Sequence, residues 1–496
     1  MSDARTGLVI ALPSADLGGV TTWALRTREA LGASRCAIVS APDPASDIEG
    51  ASQAYERAAS ALLAEECGRV LLAPQLSGAC YAAACVAAHR IARHGYSGIG
   101  VIGWMHTVIR YDIELLRRFA PGLGAVVCVS QASSDALEGV IHADRRVVAH
   151  TGVRSSAQPV SSCEPSSALR LIYTGRLEQN QKRVMALPAC AAQLRRRGVP
   201  CELTIVGDGP ARPELERAAR ADASITIVGA AEPGELVRHL DHANLYLLPS
   251  RSEGLGLGRI EAALRARAPV VCAGSGGALE GVEDNVSGLV TPATPEMDEP
   301  EVGARMGERI AEAWGRLGAP GIAQLGDRAR ASAARLCDPI TYAATLERVL
   351  DQPLDLDAHA PFWSRVAHDA RTAADFTVPP DAPRRARRAC ERVGARGVLL
   401  YGGGTHTCAI WDALAEYGVE VLGVIDDDPA RAGGSFRGAP VTRPEDAGRL
   451  GARDVLISSW LHQDEIWARR GVLEAQGLRV HRIYEDEPSP CGVTGG

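Results

Sequence analysis

The chain has 496 residues, of which 46% are hydrophobic and only 4% aromatic, with a formal net charge of −7. That length suits about two to four domains with cores of Ala, Leu and Val, and the acidic balance argues against a general nucleic-acid binder. Thirteen cysteines run from Cys36 to Cys491 without a CxxC pair or metal-ligand spacing, the pattern of reduced, buried thiols in a cytosolic protein rather than a redox or zinc centre.

No run approaches the roughly 20 apolar residues that span a bilayer. The apolar start of the chain ends in a glycine loop, not a signal-cleavage site, and reads as a first strand. Short apolar runs then alternate with longer Ala-rich amphipathic segments: GLVIALP, RVLLAP, GIGVIGWM and AVVCVS. Such runs suit strands buried on both faces of a parallel sheet with helical crossovers. The polar stretch 154–168, RSSAQPVSSCEPSSA, reads as a linker. The alternation restarts with LRLIYTG, CELTIVGDG, SITIVGA, LYLLPS, PVVCAG and GLVTP. Residues from about 294 to 380 are mostly helical, and FTVPPDAPRRARRA marks a second break before a further strand–glycine loop–helix–strand unit. The expected fold class is therefore α/β, with two doubly wound Rossmann-like domains and a third, smaller one.

The segment 247–271, LLPSRSEGLGLGRIEAALRARAPVV, carries most of the chemistry. A strand ends near Leu248, Glu253 opens a turn with Gly254, Gly256 and Gly258, and a helix from Leu257 bears Glu261. Glycines at a helix start let backbone N–H groups approach an anion, which the helix dipole favours. Two carboxylates touching that anion would repel it, so they are better suited to accept hydrogen bonds from sugar and ribose hydroxyls. A nucleotide sugar supplies both hydroxyl sets with a diphosphate between them. The plainer reading of the same residues is a tight helix–strand turn followed by a solvated helix glutamate. Lys182, in GRLEQNQKRV, is the only lysine among 53 basic residues.

Together these stretches resemble the retaining GT-B glycosyltransferases of glycosyltransferase family 4. Glu253 and Glu261 match its E-x7-E motif. GGV at 18–20, GWMHT with His106, VCVS with Ser130, YTGRLEQNQKRV, LTIVGDGP and ITIVGA match further family segments, over roughly residues 8–350. The resemblance implies a GT-B fold, with 1–160 as the acceptor-side domain, 161–350 as the donor domain, 351–389 as a helical return and linker, and 390–496 as a Rossmann-like accessory domain. It implies that Arg176 and Lys182 hold the donor diphosphate and that Glu253 contacts hydroxyls of the transferred sugar, with His106 beside it. Glu261 would hold the ribose. Gly18, Gly19 and Gly175 would line the cleft, backbone amides of Gly254, Leu255, Gly256 and Leu257 would aid the sugar and phosphate, and residues 230–236 would meet the base. AHTGVR, with His150 and Thr151, and ARAP depart from the family's usual segments.

The implied reaction is retaining transfer by front-face substitution, with no cofactor and no metal. The donor is a nucleotide-diphospho-sugar and the acceptor a glycan, a lipid-linked molecule or a small molecule. The acceptor would meet residues 45–60 and 104–118, where Arg110, Arg117 and Arg118 either face an anionic acceptor or form a solvated helix face. A non-catalytic nucleotide-sugar-binding or assembly subunit is the alternative, with less need of Arg176, Lys182, Glu253 and Glu261 together. In YGGGTHTCAIWDAL…VIDDD, Gly402, Gly404 and Asp426 stand where a dinucleotide fingerprint has two glycines and an acid, but Thr407 replaces the third glycine. The unit is similar to small modules at the ends of sugar-modifying acyltransferases and some methyltransferases, which imply nucleotide binding or packing against a partner. The basic segment 383–396 reads as a solvated linker helix or as a contact for anionic headgroups. The expected location is cytoplasmic, with peripheral attachment to the inner membrane surface or to a protein partner as a further expectation, and no nucleic acid.

Overall fold

Strands buried on both faces need helices above and below them, and loops at their ends are then free to carry side chains. The computed structural model describes residues 5–12, 18–40, 47–64, 67–154, 168–294, 296–352, 355, 357–375, 378–379 and 381–485. Most of the expected linker 154–168 lies outside them. The chain divides into two compact units, Met1–Ala374 and Asp375–Gly496.

The first unit has two lobes. In the first lobe β1 (Arg5–Leu12), β2 (Cys36–Ser40), β3 (Cys67–Pro74) and β4 (Ile99–Val101) form a parallel sheet in the order β2-β1-β3-β4. Next in sequence, β5 (Gly103–Met105), β6 (Val126–Cys128) and β7 (Arg146–Val148) pair in the order β5-β6-β7. The second lobe holds β8 (Leu169–Thr174), β9 (Cys201–Val206), β10 (Ile225–Gly229), β11 (Leu245–Leu248), β12 (Ala268–Cys272) and β13 (Leu289–Thr291). Their order is β10-β9-β8-β11-β12-β13, all parallel. That order reverses between β8 and β11. In an open parallel sheet such a reversal leaves a crevice beyond the carboxyl ends of the two strands, where ligands bind.

Helices after the second sheet return to the first lobe. Glu299–Leu336 is two helical segments meeting at a kink at Gly318, two residues before Pro320. Pro339–Asp351 then packs on the Gly19–Leu31 helix, with the Tyr342 hydroxyl 2.7 Å from that of Thr27. Arg35 makes a two-pronged contact with Glu347 at 2.7 and 2.8 Å. One apolar cluster joins Leu8, Trp23 and Trp104 of the first lobe to Leu255, Ile260 and Ala263 of the second, and to Tyr342 and Leu346 of the return. A later return helix, Ala360–His368, buries Trp363, whose indole N–H donates to the Gly122 carbonyl at 2.8 Å.

The second unit has β14 (Gly397–Tyr401), β15 (Glu420–Ile425), β16 (Ser435–Phe436), β17 (Ala439–Thr442), β18 (Asp454–Ile457) and β19 (Arg479–Arg482), in the order β16-β17-β15-β14-β18-β19. Only β16 is antiparallel to its neighbour. The Ala382–Val393 helix buries Ala382, Ala386, Ala389 and Cys390 against this sheet. Its arginines are largely paired within the unit: Arg384 and Arg385 with Asp381, Arg387 with Glu391, and Arg392 with Glu485. Arg387 also lies 4.7 Å from the centre of the Tyr417 ring. The helix is thus packed on the sheet by its apolar side, while Arg384, Arg387 and Arg392 stay largely exposed. No helix among the described residues is long and apolar enough to cross a membrane, and the described cysteines form no disulfide and, apart from Cys408, are buried.

Trp363→Ala is expected to cost about 3–5 kcal/mol, the range for emptying a buried tryptophan site. Trp363→Phe should cost less, losing mainly the bond to Gly122. Urea unfolding of the two variants beside the wild type measures both.

Candidate active site

The loop after β8 and the loop after β11 stand side by side because the sheet order makes those strands neighbours. Each is tied down by short-range bonds. The Glu178 carboxylate accepts from the backbone N–H of Gln181 at 3.1 Å and of Lys182 at 2.8 Å, closing a tight turn. The Gln181 side chain donates to the Ser252 carbonyl at 2.9 Å, and the Arg251 N–H donates to the Gln181 carbonyl at 2.8 Å. The two loops are thereby stitched together. The Lys182 ammonium then lies 2.7 Å from Glu253 Oε1, which also accepts from the Ser250 hydroxyl at 2.7 Å. Glu253 is buried and Lys182 half-buried.

The neighbouring cations go elsewhere. Arg183, at φ +49°, is buried and donates to the Thr294 carbonyl at 2.8 Å. Burial and the nearby Arg251 push it down to about 10. Arg176 is exposed at the start of the same loop, and its guanidinium has no ion pair among the described residues.

Beyond Glu253 the chain threads between the lobes. A Cβ at Gly254 would fall 1.8 Å from the His106 carbonyl oxygen, so only glycine fits against the first lobe there. Gly256 is left-handed at φ +74° and caps the Leu257–Leu264 helix, which points its free N–H groups toward the Glu253 turn. Leu255 is buried and Leu257 half-buried in the apolar cluster shared by the lobes. Glu261, on the outer part of this helix, is held by Arg26 of the first lobe at 2.6 Å. Gly18 and Gly19 begin the helix that carries Arg26, and a Cβ on either would meet no atom of another described element within 4 Å. Gly175 follows β8 directly and precedes Arg176.

His106 follows β5. Its Nε2 is 2.6 Å from the Gln75 amide oxygen, while the Gln75 amide nitrogen donates to the Ala73 carbonyl at 3.0 Å. That orientation makes Nε2 the protonated nitrogen and leaves Nδ1 as an acceptor. Burial pushes the imidazole down to about 3. His106 is thus a neutral hydrogen-bonding group at physiological pH, not a proton-donating imidazolium. The lobes are also clasped where the sequence departs from the family pattern: His150 Nε2 lies 2.6 Å from Glu280 Oε2, and the Ala132 N–H donates to the other Glu280 oxygen at 3.0 Å.

Sequence reasoning singled out both loops but missed Ser250, Gln75, Glu178 and Arg26. Ser250 and Glu178 stand three and four residues from a named charge, which is a local signal. Gln75 and Arg26 come from other elements and leave none. Of the arginines suggested for an anionic acceptor, Arg110 is buried, Arg117 pairs with Glu114, and Arg118 donates to the Thr372 carbonyl. Among the described residues no three His, Cys, Asp or Glu side chains cluster as metal ligands.

In the second unit Gly402 (φ +112°) turns the chain after β14 into the Thr405–Glu416 helix, with Gly404 as its N-cap. The Thr407 hydroxyl bonds to that of Ser458 at 2.7 Å, so the residue in place of the third glycine ties the helix to the end of β18. Asp426 is already engaged. Its carboxylate accepts from the N–H groups of Gly403 and Asp428 and from Arg431, each at 3.0 Å.

The family described as "Glycosyl transferases group 1" matches residues 168–301, the lobe that carries both loops. An alpha-D-kanosaminyltransferase of Streptomyces kanamyceticus is 36% identical over 154 residues, 28% of this chain and 39% of that protein. A GDP-mannose-dependent alpha-(1-6)-phosphatidylinositol monomannoside mannosyltransferase of Mycobacterium tuberculosis is 35% identical over 27% of this chain and 33% of its own length. The chain therefore spans well under half the length of these curated relatives. Among solved structures, Anabaena Alr3699/HepE in complex with UDP and glucose aligns at TM-score 0.53 and 17% identity, over 69% of this chain and 98% of that one. Sucrose-phosphate synthase of Thermosynechococcus elongatus aligns at 0.55 and 15%, over 69% and 97%. The fold is the GT-B glycosyltransferase fold.

An unfolded histidine binds its proton near pH 6.5, whereas folded His106 does so only near pH 3. Between these values the unfolded state holds more protons, so stability falls as pH drops below about 6.5. Removing His106 should flatten that slope, by about 1–2 kcal/mol between pH 7 and pH 5. Urea midpoints of wild type and His106→Gln across that range measure the difference.

Proposed function

We propose that the protein is a retaining, metal-independent glycosyltransferase that moves a sugar from a nucleotide-diphospho-sugar to an acceptor in glycan or glycoconjugate assembly. The observation that carries this reading is the Lys182–Glu253 pair at the β8/β11 reversal, beside the glycine-capped helix start, within the segment that matches the group 1 transferases. A half-buried ion pair adds little net stability, because desolvation offsets the attraction. Its value here is that it presents a cation and an acceptor together, one for the departing diphosphate and one for sugar hydroxyls.

In the proposed reaction the bond from the sugar's anomeric carbon to the diphosphate breaks, and the bond to the acceptor oxygen forms on the same face. The acceptor proton passes to the departing phosphate oxygen. Charge developing on the diphosphate is met by Arg176, Lys182 and the amides of Gly254, Leu255, Gly256 and Leu257. Glu253 accepts from the sugar, and His106 accepts through Nδ1. Glu261 takes the ribose hydroxyls. Gly18, Gly19 and Gly175 lie along the diphosphate. At Gly18 and Gly19 packing of the described residues supplies no reason for glycine, which fits a close approach by substrate. Two protein cations at the leaving group do the work of a metal ion.

For the second unit, nucleotide binding at Gly402, Gly404 and Asp426 is the less favoured reading. Arg431 would have to leave Asp426 before a ribose could take its place. Packing against a partner asks for no such exchange.

Lys182→Ala should lower turnover by at least about tenfold, and up to about a hundredfold if the charge acts mainly in the transition state. Glu253→Ala should spare binding of the sugar-free nucleotide more than it spares turnover. Near-normal turnover by Lys182→Ala would end the phosphate role, and loss of nucleotide binding by Glu253→Ala would reverse the assignment. Activity should persist in EDTA, assayed by release of nucleoside diphosphate; abolition by the chelator, with restoration by a divalent ion, would end the metal-independent reading.

A further inference from the structure

Glu261 is held from the opposite lobe. Arg26, on the Gly19–Leu31 helix, places Nη2 2.6 Å from Glu261 Oε1 and Nη1 3.3 Å from the Gly152 carbonyl. The contact is one-sided: Oε1 takes the guanidinium, while no hydrogen bond from the described residues reaches Oε2. It is also sheltered, with 20% and 27% of the two side chains exposed, so it is not an ordinary surface bridge screened by water. The second anchor at Gly152 fixes the guanidinium plane, and a planar fork held at two points sets the direction of the carboxylate it grips.

We propose that Arg26 is a positioning residue for the donor, holding Glu261 ionised and turned so that Oε2 receives the ribose hydroxyls of a nucleoside diphosphate. The inference rests on the donor-site reading above and adds to it that donor affinity depends on an arginine of the other lobe. A ligand that uses Glu261 in this geometry favours the arrangement in which Arg26 is in place, so donor binding and lobe contact reinforce one another.

Two hydroxyl donors need an ionised acceptor. Burial pushes the Glu261 carboxyl above the ordinary carboxylate value, even with Arg26 pulling it down. Without Arg26 the carboxyl would rise further, so lowering the pH would cost the variant more carboxylate than it costs wild type. The other titratable group facing Glu261 is the Tyr246 phenol of β11, while Cys337 and Tyr342 face Arg26. Burial pushes all three up, so they stay neutral across pH 6–8. The nucleotide's own phosphate titration is common to every variant and cancels when variants are compared with wild type.

The test is calorimetric titration of UDP, GDP, ADP and CDP, one at a time, at pH 8 and pH 6, on full-length protein shown to be folded by thermal unfolding. The proteins are wild type, Arg26→Met, Arg26→Lys, Glu261→Gln, the Arg26→Met/Glu261→Gln double variant and Lys182→Ala. Loss of one charge-assisted contact predicts that Arg26→Met holds the preferred nucleotide about tenfold more weakly at pH 8. At pH 6 the deficit relative to wild type should be larger than at pH 8, as protonation removes the carboxylate from part of the population. Arg26→Lys should recover most of the affinity and abolish the extra pH step. In the Glu261→Gln background the arginine change should cost nothing more. If Arg26→Met fails to fold, the comparison of Arg26→Lys with Glu261→Gln carries the test, and equal affinities and pH slopes for those two would overturn the proposal. Wild-type or tighter binding by Arg26→Met, with binding lost in Lys182→Ala, overturns the role of Arg26 and leaves the donor site standing. An equal loss with and without the Glu261 carboxylate also overturns it, as general damage to the lobe contact. Failure of wild type to bind any of the four nucleotides overturns the donor-site reading and this inference with it.

Discussion

An ammonium and a carboxylate cannot be held 2.7 Å apart in a half-buried cleft unless the backbone on both sides is fixed first. That requirement organises the second lobe. Parallel pairing of β8 with β11 brings two loops from distant parts of the chain to one edge. Glu178 closes the first loop on itself, and Gln181 bonds it to Ser252 and Arg251 of the second. Ser250 supplies a second hydrogen bond to the carboxylate, so the pair is oriented and not merely close. Arg183, next to Lys182, is turned beneath the loop toward Thr294, and the flexible lysine stem is what reaches Glu253.

The lobes meet through surfaces with little tolerance. Glycine at 254 lets the backbone lie against the His106 carbonyl, and the apolar cluster around Trp23, Leu255 and Ile260 runs across the junction. Polar clasps flank it, Arg26 with Glu261 on one side and His150 with Glu280 on the other. The return helices strengthen the first lobe from outside its own stretch of sequence, by way of Tyr342 and Trp363. Between these contacts Glu253 is buried while Lys182 stays half-buried, so their attraction is stronger than that of a fully solvated pair.

The second unit repeats the strand–glycine loop–helix layout with different chemistry at the loop. Thr407 and Ser458 close the space that a third glycine would leave open, and Arg431 sits on the acid. Shared layout with the second lobe therefore does not by itself imply shared function, since function lives in the groups at the strand ends.

The parallel α/β layout was legible because strands buried on both faces must be short Val-, Leu-, Ile- and Ala-rich runs, and β8 to β13 show them plainly. β2 was less legible: it is half-exposed along much of its length, and its alternation is weak. Glu253 and Glu261 could be singled out because carboxylates beside a glycine-rich helix start suit hydroxyls better than an anion, and Lys182 because a lone lysine stands out in an arginine-rich chain, whereas Arg176 was named from the family resemblance alone. What they touch was decided by tertiary structure. Lys182 meets Glu253 across 71 residues, and Glu261 meets Arg26 across 235; neither partner follows from local pattern, since sheet order and lobe packing, not sequence distance, set which charges become neighbours. By itself the sequence determined the class of fold and the kinds of groups at the strand ends. Only the folded chain decided which of those groups face one another, because a hydrogen bond is a matter of ångströms and its geometry is set by every element packed behind it.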